Sequence, residues 1–452
     1  MLAQAGSGFG ALAAASLLHE DALAGIAETV RTHHAPRAKR VVWLFMNGGP
    51  SGIDLFDPKP ALDVWHGKPY PGKVETLFPH PGPLMKSPFR FRQHGESGAP
   101  VSEVFPHLAR HVDELAFLLA CSTEVQNHMP ACYMMNCAVP RAGMPCLGSW
   151  VSYGLGRETA DLPAFVVLYD QRSSPEGGTN LWDMGFLPGQ HQGVALRSKG
   201  SPILYLQRPG RLTSQRQHAQ LQLLNDINGR HLARFPHEQQ LETRLHSFET
   251  AFRMQRSVPE AVNIASESKE TQRLYGLQVP ECKRFGRQLL MTRRLLERGV
   301  RFAQVYHGGF ETNWDHHGNL EEQHRDLCFE TDQPIAGFLE DLKRRGLLDE
   351  TLVIWGGEFG RTPVSQDRHG RDHNPFGFTM WMAGGGVKRG IRYGQTDEFG
   401  YHPVENRLSM HDLHATILHL LGLDHLQLSY FHNGQDQLPG NGLGHVVHDL
   451  IA

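Results

Sequence analysis

The sequence predicts an α/β fold in which a mainly parallel β-sheet carries helices on both sides. The first observation is a set of uninterrupted apolar runs, which are typical of strands buried on both faces of a parallel sheet. The second is a set of amphipathic helical patterns between these runs. Strand 300–306, helix 332–345 and strand 352–355 together predict a βαβ unit.

Five apolar runs are the predicted strands of this sheet. The first, Arg40–Met46, ends at a Gly-Gly-Pro turn, which indicates a loop at the carboxyl end of the strand. The other four are Ala164–Tyr169, Val300–Tyr306, Leu352–Trp355 and Phe378–Met382.

Three helices are predicted from apolar residues spaced three and four apart, each closed by a glycine as helix C-termini often are. They are Phe285–Leu296 before Gly299, the pattern Ile335, Phe338, Leu339 and Leu342 before Gly346, and the pattern Leu413, Ile417, Leu420 and Leu421 before Gly422.

The composition is that of a globular protein with an unusual amount of histidine. Its 452 residues are 40% hydrophobic and 20% charged, which allows a substantial core. The net charge of -3 gives no sign of nucleic-acid binding. Several of the 28 histidines stand beside acidic residues in predicted loops, a combination that zinc, iron and manganese sites use.

The six cysteines include no Cys-x-x-Cys pair, so a structural zinc ribbon is not expected. Two interpretations stay open for them. They form disulfides in an exported protein, or they are buried free thiols that pack as small apolar side chains.

Residues 1–24 are interpreted as the remnant of an export signal. Residues 9–18 form an apolar stretch too short to span a bilayer, and Ala22-Leu23-Ala24 fits the small-residue cleavage rule. The basic region that should precede the stretch is missing, so a surface helix is the alternative. We therefore expect an exported protein, periplasmic or extracellular, without an integral membrane segment.

Residues 38–452 are expected to form a single domain, and the sequence carries no signal for its oligomeric state. Residues 216–280 are polar, helical and weakly apolar, which predicts a helical insertion or cap. Segments 58–100 and 172–215 are rich in proline, glycine and polar residues, and are predicted to be long surface loops near the site.

In open α/β sheets, ligands bind beyond the carboxyl ends of the strands, and metal-capable residues follow three of the predicted strands. After the first strand, Asp54 is a candidate metal ligand and Ser51 a candidate ligand or nucleophile. A plain tight turn explains this segment equally well. After the strand at 300–306, Asp315 and His317 can converge on one ion, with His316 pointing elsewhere. A solvated acidic turn is the less favoured explanation.

After the strand at 352–355, Glu358 stands among glycines, which suits a site better than a strand. Arg361 is a candidate clamp for a phosphate or sulfate group, or else part of a surface salt bridge. Further along, Asp372 and His373 add a carboxylate and an imidazole. Near the C-terminus, Asp412 is interpreted as a first-turn acid of the last helix, and its neighbouring histidines as structural.

The candidate ligands form one set that suits one or two divalent ions, with zinc, calcium and manganese not distinguished. Two ions roughly 4 Å apart need about six ligands of this kind. The set is Asp54, Asp315, His317, Glu358, Asp372 and His373.

Five motifs, which lie between residue 40 and about residue 425, resemble a large, uncharacterised, sulfatase-like bacterial family. That family is usually exported by the twin-arginine route and falls within the alkaline phosphatase superfamily. The motifs are Gly48-Gly49-Pro50-Ser51 with Asp54, Trp314-Asp315-His316-His317-Gly318-Asn319, Gly357-Glu358-Phe359-Gly360-Arg361-Thr362-Pro363, Gly370-Arg371-Asp372-His373-Asn374 and His411-Asp412-Leu413-His414-Ala415-Thr416.

The resemblance implies an α/β/α sandwich with an alkaline phosphatase/sulfatase-like core and a one-metal or two-metal site that hydrolyses esters. It implies that Asp315 and His317 bind one metal and that His373 corresponds to a downstream histidine ligand. Glu358 stands where relatives carry the Asp of an Asp-His-Gly motif. Phe359 stands where they carry the His, which removes one expected ligand.

The chain departs from the sulfatase pattern at the nucleophile. Sulfatases carry Cys or Ser in a Cys-x-Pro-x-Arg motif, oxidised to formylglycine, and the comparable segment at 122–131 has neither in that context. His128, Ser122, Thr123 and Ser51 are the alternative nucleophiles, together with a water molecule on the metal.

The sequence therefore predicts a metal-dependent hydrolase of sulfate or phosphate esters, with Ser51, His128 and Arg361 as catalytic candidates. The expected substrate is a small-molecule or polysaccharide ester. The principal alternative is a secreted, non-catalytic, metal-stabilised binding module or degenerate sulfatase scaffold, and a weaker one is a phosphomutase-like transferase. The site hypothesis predicts that Asp54, Asp315, His317, Glu358 and His373 converge in one pocket.

Overall fold

The computed structural model describes most of the chain from residue 32 onward. The described residues are 32–77, 79–169, 174–198, 202–203, 210, 212–234, 252–255, 257–309, 313–367 and 369–452. The interpreted export signal at 1–24 lies outside the described residues.

Seventeen strands are present in the described part of the chain. Numbered in chain order, they are β1 Arg40–Met46, β2 Phe91–His94, β3 Ala99–Ser102, β4 Leu115–Ser122, β5 Phe165–Leu168, β6 Val194–Leu196, β7 Phe302–His307, β8 Thr351–Gly356, β9 Gly360–Gln366, β10 Gly370–Asn374, β11 Phe378–Ala383, β12 Ile391–Tyr393, β13 Gln395–Thr396, β14 Pro403–Glu405, β15 Leu408–Ser409, β16 Tyr430–His432 and β17 Gln435–Gln437.

The α-helices connect and cover these strands, and residues 252–255 and 257–261 are also helical. They are α1 Gly52–Leu55, α2 Pro60–Trp65, α3 His128–Cys137, α4 Leu147–Leu155, α5 Ser214–Arg234, α6 Lys269–Leu274, α7 Lys283–Leu296, α8 Leu320–Arg344 and α9 Met410–Leu420. The 3₁₀ helices include Leu108–Glu114 and Gly178–Trp182.

A nine-stranded sheet forms the centre of the fold, in the order β12-β4-β11-β8-β1-β7-β5-β6, with β15 beside β4. β1 pairs in parallel with β7 on one side and with β8 on the other. β11 runs antiparallel to both of its neighbours, β8 and β4. The carboxyl ends of β1, β4, β7 and β8 therefore lie at one edge of the sheet. The predicted α/β class with a mainly parallel sheet is confirmed.

Helices cover both faces of the sheet because β1 is apolar on both sides. Val42 and Leu44 belong to a buried cluster that includes residues of α7 and α8. Val41 and Trp43 belong to a second cluster that includes residues of α3, α4 and α9. Alternate residues of a strand point to opposite faces, so one strand contributes to both cores. The result is a three-layer α/β/α arrangement.

The last helix begins at a capping box, as its sequence indicates. The Ser409 hydroxyl accepts a hydrogen bond from the Asp412 backbone N–H, and the Asp412 carboxylate accepts one from the Ser409 backbone N–H. Asp412 is thus the predicted first-turn acid.

The segment 216–280 contains both exposed and buried parts. Helix α5 exposes the apolar side chains of Leu223, Leu224 and Ile227, whereas Val258 and Ile264 are buried in the cluster that contains α7 and α8. Among the described helices, none is both long enough and apolar enough to cross a bilayer. All six cysteines are buried and carry free thiols.

Candidate metal centre

Four side chains converge at the carboxyl edge of the sheet. His128 is the first residue of α3, which follows β4; Asp315 and His317 lie in the loop after β7; and His373 lies in β10. One ligand atom from each falls within 4.8 Å of all the others. Nε2 of His317 is 2.8 Å from Oδ1 of Asp315 and 3.1 Å from Nε2 of His373.

Each of the three histidines turns Nε2 toward this centre because its Nδ1 is held by an oxygen atom. The acceptors are Oε1 of Glu358 for His128 at 2.6 Å, the backbone oxygen of Gln126 for His373 at 2.7 Å, and Oε1 of Gln366 for His317. An oxygen at Nδ1 favours a ring proton there, so Nε2 is the nitrogen that can bind a metal ion once it carries no proton. Metal-binding histidines are oriented in this way.

The residues present fit a metal ion by a second test, the pairing of buried polar atoms. Nε2 of His128 is buried and has no hydrogen-bond partner among the described residues, although Oδ2 of Asp315 is 3.2 Å away. Buried polar nitrogens are nearly always bonded to protein, water or an ion. Three imidazoles and one carboxylate are the ligand types that zinc and its neighbours in the first transition row accept.

The charges around the centre favour an ionised Asp315 and a neutral His373. Burial opposes ionisation of Asp315, but the nearby Arg361 guanidinium and the histidine contacts hold the pKa of its carboxyl well below its usual range. Burial lowers the pKa of His373 to about 3. Burial also disfavours protonated His128, but the Asp315 and Glu358 carboxylates outweigh it and raise the pKa of this ring to about 10. Metal binding through Nε2 must therefore displace a proton from His128.

Arg361 supports Asp315 instead of facing a substrate. Its guanidinium is fully buried, and it donates to the Gly49 backbone oxygen at 2.8 Å and to Oδ1 of Asp315 at 2.7 Å. It also donates to the backbone oxygens of Gly48 and Trp314. Arg361, the expected clamp for a phosphate or sulfate group, is thus not accessible from solvent. Its donors fix the Gly-Gly turn and the loop that carries Asp315.

Asp54 and Ser51 are engaged away from the centre. Both oxygens of Asp54 accept from the Arg371 guanidinium, at 2.7 and 3.0 Å, and both side chains of this ion pair are fully buried. The Ser51 hydroxyl donates to Asp54. The structure therefore places the expected ligand and the expected nucleophile in a buried structural pair, and Asp54 does not join the predicted pocket.

Glu358 and Asp372 hold histidines of the centre. Glu358 is fully buried, its oxygens accept from the Gly48 backbone N–H at 2.8 and 3.1 Å, and it fixes His128 as described. Oδ1 of Asp372 accepts from the His373 backbone N–H at 2.7 Å. Neither carboxylate belongs to the converging group. His316 points away, as expected, and its ring contacts His324.

The sequence reasoning missed the grouping of His128 with the ligand candidates and the supporting roles of Gln126 and Gln366. A signal for His128 was present, because the apolar run Leu115–Ser122 is a further strand that ends at the same edge. No sequence pattern points to Gln366, which meets His317 only through the fold.

Comparison with known proteins gives one match that covers nearly all of the chain. Residues 38–451 match the model of the family described as "Protein of unknown function (DUF1501)". No curated protein matches.

Several solved structures show a distant likeness. The alkaline phosphatase from the Antarctic bacterium TAB5 has a TM-score of 0.40 and 10% identity, and the match covers 86% of this chain and 99% of that one. The PsFucS1 sulfatase from Pseudoalteromonas sp. has a TM-score of 0.36 and 11% identity, with coverages of 86% and 68%. The lipoteichoic acid synthase LtaP from Listeria monocytogenes has a TM-score of 0.38 and 7% identity, and the match covers 88% of this chain and 76% of that one. At scores this low, neither activity nor substrate follows from the likeness.

Proposed function

We propose that this chain, which belongs to the family described as "Protein of unknown function (DUF1501)", is a metal-dependent hydrolase of sulfate or phosphate esters that acts outside the cytoplasm. The observation that carries the proposal is the convergence of His128, Asp315, His317 and His373, with the Nδ1 of each histidine already held. Such an arrangement is costly to build without an ion.

The ligand set narrows the choice of metal. Calcium, magnesium and manganese prefer oxygen ligands, whereas imidazole suits zinc, iron and copper. Three of the four converging side chains are imidazoles. We therefore propose zinc in preference to calcium or manganese.

The centre is open on one side. The Asp315 and His317 side chains are 21% and 23% exposed, whereas His373 is 2% exposed and Glu358 is fully buried. Among the described residues, Asp315 and His317 are the most exposed of the four converging side chains, with His128 at 11%, so we infer that an ester approaches from their side.

A bound divalent ion supplies Lewis-acid polarisation of an ester oxygen and a water molecule of lowered pKa. The chain's own residues hold that chemistry in place: Arg361 orients Asp315, and Glu358 orients His128. The divalent ion and Arg361 carry three positive charges and the Asp315 and Glu358 side chains at most two negative ones, so the centre has a net positive charge, which favours an anionic ester. The N-terminus of α3, where His128 lies, adds positive potential.

One observation favours the second candidate, a non-catalytic metal-binding module. Ser51 is fully buried and its hydroxyl donates a hydrogen bond to Asp54, so this hydroxyl is not positioned to attack a substrate. In the hydrolase, attack then falls to a water molecule, because both ring nitrogens of His128 are engaged in the centre.

The test combines metal analysis of the purified chain with a screen of aryl sulfates and aryl phosphates. We expect bound zinc and turnover of one ester class. Asp315→Ala should lose the metal and lower kcat/KM by more than about 100-fold, because even residues behind the ligands cost 10–100-fold. Asp326→Ala, at an exposed position of α8, is the matched control and should change neither the metal content nor kcat/KM.

The outcomes separate the candidates. Bound metal without turnover of any ester supports the binding module. A chain that binds no metal under any condition contradicts both candidates. Cell fractionation tests the location, and we expect the protein in the periplasmic fraction or the medium.

A further inference from the structure

The ring of Phe359 lies against two histidines of the centre. Its centroid is 4.3 Å from that of His373, with 30° between the planes, and 4.9 Å from that of His128. The rings of His128 and His373 are themselves 4.4 Å apart and nearly perpendicular. Packed aromatic rings at these separations constrain one another's orientation. Phe359 therefore helps to fix the directions in which two Nε2 atoms point.

Phe359 is itself firmly held. It is 1% exposed, and the Arg361 guanidinium lies 5.9 Å from its ring centroid. Gly49 passes so close that a Cβ atom there would lie 2.7 Å from the ring, and its φ of +76° suits glycine. The turn after β1 thus presses the ring against the histidines.

Among the described residues, the two fully buried carboxylates of this region, Asp54 and Glu358, already have partners. Asp54 is engaged by Arg371, and Glu358 by the Gly48 N–H and His128. Within the residues that the structure describes, the four converging side chains are the only group of three or more with metal-binding geometry. On this side the Phe359 ring packs against His128 and His373, and an aromatic hydrocarbon ring offers no ligand atom to a second divalent cation.

We propose that Phe359 is a positioning residue that closes the buried side of the centre, so that the chain binds one divalent ion whose open side faces Asp315 and His317. This inference rests on the metal centre of the proposed function. It adds the number of ions and the direction from which substrate and water approach.

The first test is the stoichiometry of the wild-type full chain loaded with cobalt(II) and measured by native mass spectrometry. One ion per chain is expected. Two ions per chain overturn the inference even if an ester is hydrolysed, in which case the hydrolase proposal stands. One ion without ester turnover supports the inference and counts against the hydrolase. No ion contradicts both.

The second test compares Phe359→Leu with Phe338→Leu, which removes a buried ring from α8 away from the centre. Phe359→Leu should raise the Kd for cobalt(II) about 10–100-fold, as residues behind the ligands do. It should also change the visible absorption spectrum of the bound cobalt(II), because the rings of His128 and His373 lose the aromatic side chain that packs against them. Phe338→Leu should leave both unchanged. A folded Phe359→Leu protein with the wild-type Kd and spectrum overturns the positioning role. If this variant does not fold, the wild-type stoichiometry still decides the number of ions.

Discussion

At the level of single residues, the four acidic side chains in and around the site differ in their interaction partners. Asp315 faces the other three converging side chains, whereas Glu358 and Asp372 hold histidines and Asp54 holds an arginine. Asp54, Asp315 and Glu358 follow the central strands β1, β7 and β8, whereas Asp372 lies within β10 of the separate β9-β10 hairpin. Their roles differ because each carboxylate takes the partner that the fold places beside it.

The buried pair of Asp54 and Arg371 gives the first prediction. Asp54→Asn leaves the Arg371 charge uncompensated in the interior, so we expect the free energy of unfolding to fall by about 3 kcal/mol. The Kd for metal should stay close to that of the wild type. Denaturant unfolding and metal titration measure the two effects, with exposed Asp63→Asn as the control. A large loss of metal affinity with little loss of stability would contradict this role and indicate that Asp54 is a metal ligand.

The hydrogen bond from His128 to Glu358 gives the second prediction. Glu358→Gln replaces the carboxylate behind His128 by a neutral amide, whose oxygen accepts less strongly from the His128 Nδ1–H and whose NH₂ group replaces the oxygen that lies 3.1 Å from the Gly48 N–H. We expect the metal Kd to rise about tenfold or more. Exposed Glu321→Gln is the control, and metal titration is the measurement. Equal affinities in both variants would mean that His128 needs no carboxylate behind it.

At the level of elements, the hairpin of β9 and β10 organises the centre. It carries Arg361, Gln366, Arg371 and His373, and Arg361 pairs with His373 across the two strands. The start of β10 is packed against the loop that carries His317. A Cβ atom on Gly370 would lie 2.0 Å from the His317 carbonyl carbon, so only glycine fits there without movement of the backbone.

This close approach gives the third prediction. Gly370→Ala must push the hairpin and the His317 loop apart, so we expect about 2 kcal/mol or more of lost stability and about tenfold weaker metal binding. Gly318→Ala is the matched control, because a Cβ atom there meets nothing within 4 Å. Thermal unfolding and metal titration of both variants are the measurements. Equal stability and equal metal affinity of the two variants would contradict this close packing of β10 against the His317 loop.

At the level of the whole molecule, burial of neutral histidines in the core links stability to pH. Burial lowers the pKa of His414 to about 4, and its Nε2 donates to the Met135 backbone oxygen at 2.7 Å. Burial likewise lowers the pKa of His191 to about 4. An unfolded histidine takes up a proton near pH 6.5. The unfolded state therefore binds more protons between pH 6.5 and 4, and stability is lost as the pH falls through this range.

The fourth prediction follows from His414. A glutamine at this position can still donate to Met135 but does not titrate, so His414→Gln should lose about 2 kcal/mol less than the wild type between pH 6.5 and 4.5. Urea unfolding at several pH values measures the difference, and exposed His218→Gln is the control. Parallel pH profiles for wild type and His414→Gln would show that His414 does not contribute.

The sequence by itself determined the local structure and the class of the fold. The run Arg40–Met46 is a strand over its whole predicted length, and the predicted helix Phe285–Leu296 forms as Lys283–Leu296. These features depend on the spacing of apolar residues within a few turns of chain, which the sequence shows directly. The α/β class follows from their order.

Only the tertiary structure decided which side chains share the site. Asp54 meets Arg371 317 residues away, and His128 meets Glu358 230 residues away. Whether a carboxylate faces an ion or neutralises an arginine depends on such distant partners. The sequence indicated the edge of the sheet at which the chemistry lies, because strands end there. The division of that edge into converging side chains, supporting residues and a buried ion pair is set by packing.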